Sequence, residues 1–156
     1  MTRLQYSGSF TVGKNIEQTR SFLMDLRKLF LAIPGVESVD SIEGKLKVKS
    51  KLDLDKIGIT DTGGYLSTIT SVMLFDYELK EHQFWLSGKG RSGGSSINTD
   101  FKAVLSEQNG ITRLDWEAEV DPGLILRMLG EHRVSAASGT LISMIIDGFR
   151  NAISSI

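Results

Sequence analysis

Alternation opens the chain. Leu4, Tyr6, Gly8, Phe10 and Val12 take turns with Gln5, Ser7, Ser9 and Thr11, the period of a half-buried strand, which Gly13 and Lys14 end. Asn15 is placed to cap a helix with Ile16, Phe22, Leu23 and Leu26 inward and Glu17 in the first turn. A second helical piece, Leu26 to Ile33, stops at Pro34 and Gly35, where continuation is forbidden. Two short helices in succession are expected to bracket the fold rather than to form a core layer. IPGVESVDSIEG then gives a short strand with a turn at Glu43 and Gly44. In KLKVKSKLDLDK, Leu46, Val48, Leu52 and Leu54 alternate with Lys45, Lys47, Lys49, Lys51, Asp53 and Asp55, a strand with one wet side whose lysines read as a solvated outer face.

Ile57 to Gly64 reads as a loop. The strand Tyr65 to Leu79 carries Tyr65, Ile69, Met73, Phe75 and Tyr77 on one face and Leu66, Val72 and Leu74 on the other, so the pattern does not fix its inward face. After a turn at Glu81 and His82 comes a strand, a glycine-rich bend, and a return strand with Ile97, Phe101, Ala103 and Leu105 on one face. Asn109 and Gly110 signal a hairpin. The last strand sets Leu114, Trp116, Ala118 and Val120 against Arg113, Asp115, Glu117 and Glu119. Pro122 and Gly123 close it and launch the longest helical pattern, in which Leu126, Leu129, Val134, Ala137, Leu141, Ile145, Phe149 and Ile153 recur mostly at steps of three or four. Its middle is thin, because residues 135 to 140 are all small. The order of elements predicts an α+β domain in which a curved antiparallel sheet wraps one long C-terminal helix.

Composition narrows the picture. At 156 residues the chain is expected to form one domain that buries roughly two thirds of its unfolded surface. It has no cysteine, which removes disulfides, thiolate ligands and Cys nucleophiles and fits a reducing, cytoplasmic setting. With 18 basic and 19 acidic residues the net charge is -1, and no global field draws it to nucleic acid. The N-terminus has no signal-peptide core, and no apolar run approaches the roughly 20 residues that span a bilayer.

Candidate chemistry is sparse. SGKGRSGGS lacks the full phosphate-loop spacing and does not run from a strand into a helix, so a tightly bent sheet explains its glycines better. Lys89 and Arg91 read as solvated side chains on that bend, with a polar headgroup or acidic partner as the sharper alternative. His82 and His132 have no metal-ligand spacing, and Asp115, Glu117 and Glu119 fall on an outer face. Tyr6, Tyr65 and Tyr77 are candidates for hydroxyls that enter the interior, or that satisfy themselves locally. Gly130, Ala137 and Gly139, with Gly88, Gly90, Gly93 and Gly94, fit an interior left open beside the helix; alternatively Trp116, Phe101 and Trp85 fill it. The faces of strand and helix make Phe101, Trp116, Ala118, Leu126, Gly130, Val134, Ala137, Leu141 and Ile145 the candidate lining.

SGSFTV before the first helix, IPGVESVDSIEG, SGKGRSGGSS and the MLGEHRV segment, in this order, resemble the CoxG family of carbon monoxide dehydrogenase proteins. That family is a branch of the SRPBCC superfamily, which includes START lipid-binding domains, polyketide cyclases and the birch pollen allergen. The resemblance implies a helix-grip fold with a hydrophobic cavity between sheet and long helix. It also implies a noncatalytic carrier of a quinone or lipid serving a molybdenum hydroxylase such as carbon monoxide dehydrogenase, with peripheral membrane contact. Many relatives carry an extended tail and anchor; this sequence ends at Ile156, and no anchor is expected of it. A polyketide cyclase-like or hydrolase-like enzyme using the same cavity, and an assembly factor acting through its surface, are the competing functions.

Overall fold

The computed structural model describes residues 3–33, 35–53, 68–92, 94–123 and 130–155. The expected loop at 57–64, Tyr65, Leu66, Leu54, Gly93, Leu126 and Leu129 lie outside them. Seven strands form one antiparallel sheet in the order β1-β7-β6-β5-β4-β3-β2. They are β1 (Leu4–Val12), β2 (Val36–Ile42), β3 (Lys45–Asp53), β4 (Thr68–Lys80), β5 (Gln83–Ser92), β6 (Ser95–Gln108) and β7 (Ile111–Asp121). Each strand from β2 onward pairs with the next in sequence, and β1 pairs with β7, so that the first strand closes the sheet beside the last.

The turns explain the hairpins. Ile42 and Lys45 are joined by Glu43 and Gly44, both at positive φ, and Gln108 and Ile111 by Asn109 and Gly110 at φ 55° and 77°. Two successive left-handed residues give the primed turn whose twist matches that of the flanking strands. Pairing also settles β4: Ile69, Met73 and Phe75 face inward, while Leu74 is 42% exposed.

Helix α1 (Ile16–Met24) starts at Asn15, whose side chain accepts from Gln18 N while Gln18 Oε1 accepts from Asn15 N. Glu107 of β6 accepts from Ile16 N at 2.7 Å, which ties this helix start to the sheet. A break at Asp25 leads into α2 (Leu26–Leu31). These helices are more than a bracket. Phe22, Leu23, Leu26, Leu29 and Phe30 are all buried and join Val48, Phe84, Leu105, Leu114 and Phe149 in one core cluster, because the curved sheet leaves an end that the terminal helix does not cover.

Helix α3 (Glu131–Ser154) lies across the inner face. Gly130 is its N-cap at φ 86°, a conformation suited to glycine and outside the helix. The small residues therefore occupy the N-terminal half of the helix rather than its middle. There, Tyr6 donates to Ser135 O at 3.0 Å, and its ring lies 3.8 Å from where a Cβ on Gly139 would stand. In the C-terminal half, Phe149 meets Phe10 and Phe22 edge-on at 5.5 and 5.6 Å, and Ile153 is fully buried. One half of α3 is thus bedded in aromatic core and the other, thinner half stands over lighter packing.

Candidate functional site: an apolar cavity

A cavity of about 370 Å³ lies between the inner sheet face and α3. The sheet contributes every second residue, as pleating requires: Val48 and Ser50 on β3; Ile69, Ser71, Met73 and Phe75 on β4; Phe84 and Leu86 on β5; Ile97, Thr99, Phe101 and Ala103 on β6; Leu114, Ala118 and Val120 on β7. Helix α3 contributes Val134, Ala137, Ser138, Leu141, Ile142, Ile145, Ile146 and Phe149, the stripe that steps of three and four produce. Leu23, Leu29 and Phe30 close the end beneath α1 and α2.

Of the residues proposed from the sequence, Phe101, Ala118, Val134, Ala137, Leu141 and Ile145 come together on this lining. Leu126 lies outside the described residues. Gly130 does not line the cavity: it is exposed at the helix start, and no atom lies within 4 Å of a Cβ built on it. Trp116 points to the same side of the sheet but fills a corner. Its indole stacks on Phe101 at 6.1 Å and lies 3.0 Å from a Cβ built on Gly8, the residue opposite it on β1. Trp85 occupies the outer-face row between Glu78 and Lys102 and plugs nothing.

The strand glycines have a different role from the one expected. Side chains added at Gly88 and Gly90 would collide with the Phe75 ring and with Met73. These glycines leave no open volume; they let the two large β4 side chains lie across β5. The open volume comes instead from Ala137 and Ala118 on opposite walls, with Ala103 and small hydroxyl residues nearby. Sequence reasoning missed Ser50, Ser71, Thr99 and Ser138, although Ser138 follows Ala137 on the helical face and could have been found there.

Tyr6 gives its hydroxyl to the helix backbone, and Tyr77 is 37% exposed, so neither supplies a hydroxyl to the interior. Asp100 and Glu119 border the cavity at its rim, but their carboxylates are turned outward. Asp100 accepts from Ser87 Oγ at 2.9 Å, and Glu119 pairs with Arg3 at 3.1 Å, holding that guanidinium above its ordinary pKa. Asp115 pairs with Arg113 on the outer face at 3.1 Å, and both histidines are exposed. No group of three or more His, Cys, Asp or Glu that could hold a metal occurs among the described residues. Nor, among them, is any helix long and apolar enough to cross a membrane.

On the outer face, strand pairing joins what the sequence keeps apart. Lys49, Val72 and Arg91 lie in one row and Lys47, Leu74 and Lys89 in the next. Lys45 pairs with Asp76 at 3.4 Å, whereas these four cations form no ion pair among the described residues. The result is a cationic patch around two partly or fully exposed aliphatic side chains.

A curved antiparallel sheet closed over one long helix, with two short helices after the first strand and an apolar cavity within, defines a helix-grip domain of the SRPBCC and START type. Solved structures agree on that fold. A conserved protein from Geobacillus kaustophilus superposes with a TM-score of 0.80 at 19% identity, over 97% of this chain and 96% of that one. A START superfamily protein from Mycobacterium smegmatis gives 0.62 at 10% identity over 97% and 98%. The Zhui aromatase/cyclase from Streptomyces sp. R1128 gives 0.62 at 11% identity over 99% and 93%. Within that class the chain belongs to the carbon monoxide dehydrogenase CoxG family, whose pattern matches residues 8–154. A search of curated proteins finds no match.

Proposed function

We propose that this protein is a noncatalytic carrier that takes up a hydrophobic small molecule, a quinone or lipid, between the sheet and α3, in the service of a molybdenum hydroxylase of the carbon monoxide dehydrogenase kind. The observation that carries this reading is the cavity. Its volume of about 370 Å³ falls in the range of roughly 300–1,000 Å³ typical of small-molecule sites. Its walls are overwhelmingly aliphatic and aromatic, so an apolar guest gains from leaving water.

The lining also favours carriage over catalysis. A cyclase or hydrolase needs an acid and a base converging on one point. The carboxylates at the rim are instead committed to Ser87 and Arg3 at the surface. The cationic patch around Leu74 supports transient contact with an anionic surface, such as a membrane from which an apolar guest could be drawn.

Mass spectrometry of the small molecules extracted from protein purified from its own host tests the proposal. A redox-active quinone or a lipid in near-equal amount to protein is the expected result. Recovery of a polar polyketide intermediate would favour the cyclase reading, and a consistently empty cavity an assembly role.

A further inference from the structure

Polar groups are not spread evenly over the cavity wall. Ser50 and Ser71 face each other across the β3–β4 pair, Thr99 lies on β6, and Ser138 projects from the thin N-terminal half of α3. The opposite end, around Phe10, Phe84 and Phe149, is aromatic and aliphatic. The cavity is therefore amphipathic along its length. Each hydroxyl can both donate and accept, so together they suit a carbonyl or a hydroxyl equally. No Lys, Arg or His occurs among the described lining residues, and Asp100 and Glu119 hold negative charge at the rim. An anionic group drawn inside would lose its water, meet no cation and approach two carboxylates.

Resting on the carrier reading above, we infer that the cavity selects an amphiphile with an uncharged head that bears a carbonyl or hydroxyl. The head lies at the Ser50–Ser71 end beneath the thin half of α3, and the hydrocarbon tail runs among the phenylalanines. Guests whose head is a carboxylate or phosphate are excluded from that end. This narrows the substrate class beyond apolarity: quinones, aldehydes and alcohols fit, and free fatty acids in their ionised form do not.

Retinoids test the inference, because the head changes at one carbon while the rest of the molecule is constant. Diphenylhexatriene, which has no polar head, serves as the control in fluorescence titrations at pH 8. All-trans-retinol and retinal should bind at least about tenfold more tightly than retinoate, since an unpaired buried charge costs well over the 1.4 kcal/mol that a factor of ten represents. The double variant Ser50→Ala, Thr99→Val should weaken retinol and retinal about three- to tenfold, as the loss of one or two neutral hydrogen bonds predicts. Its affinity for diphenylhexatriene should be unchanged, which also shows that the variant is folded. Ser138→Ala, a mild change on a helix, gives the same comparison from the other wall. Equal binding of retinol and retinoate by the unaltered protein, or equal loss of diphenylhexatriene and retinol in the variants, overturns the inference while leaving the carrier reading intact. Failure of diphenylhexatriene and of every retinoid to bind the unaltered protein overturns the carrier reading itself.

Discussion

Ala137 shows how a single position sets the interior. It is buried at 5% exposure, packs against Ile69 and sits on the cavity wall where a larger residue would close the space. Ala137→Phe should lower the affinity for an apolar probe by about tenfold or more while the melting temperature holds or rises. In a filled interior the same change overpacks and costs about 1–3 kcal/mol, which calorimetry would register. Tyr6 ties the thin half of α3 to β1 through one hydrogen bond to Ser135. Tyr6→Phe should cost about 0.5–1.5 kcal/mol in denaturant unfolding, and an unchanged midpoint would mean that this bond contributes nothing. At this scale the sequence was informative about facing and silent about lean. Alternation put Phe101, Ala118 and Trp116 on the inner face, but the tilt of the indole over Gly8 depends on a glycine more than a hundred residues away, which no local pattern encodes. Gly130 was misplaced because the apolar period runs through Leu129, with no Ser, Thr, Asp or Asn to mark a helix start.

The strands and helices were mostly legible as elements, because each carries its own period and its own stop. The Asn15 cap, the Glu43–Gly44 turn and the Asn109–Gly110 turn are local chemistry and appear where the residues require. The face of β4 was not legible, since both of its faces are apolar and only pairing with β3 and β5 decides which is covered. The contribution of α1 and α2 to the core was likewise hidden, because it depends on the curvature of the sheet. Gly148 is another case. A Cβ there would stand 2.9 Å from Ala32 O, so α3 passes directly against the end of α2. Gly148→Ala should cost about 1–3 kcal/mol through this contact with backbone, although alanine is the better helix former. An Asn15→Ala variant should lose about 0.5–2 kcal/mol with α1 fraying first, which amide exchange in that helix would reveal.

For the whole molecule, the division of labour runs along α3. Its C-terminal half is anchored by Phe10, Phe22 and Phe149, and its N-terminal half roofs the cavity with small residues and one tyrosine latch. A stable end and a hollow end in one domain suit a protein that must stay folded while its guest comes and goes. The family resemblance carried by the opening strand, IPGVESV and the glycine-rich segment pointed to this architecture, whereas composition alone reached only a sheet around a helix. The central claim is that the hollow end binds an apolar guest. Titration of the purified protein with diphenylhexatriene, followed by competition with a short-tailed menaquinone, tests it most directly. Saturable binding at one site per chain, with full displacement by the quinone and loss of both in Ala137→Phe, is the predicted result; a flat titration with every apolar ligand would contradict it.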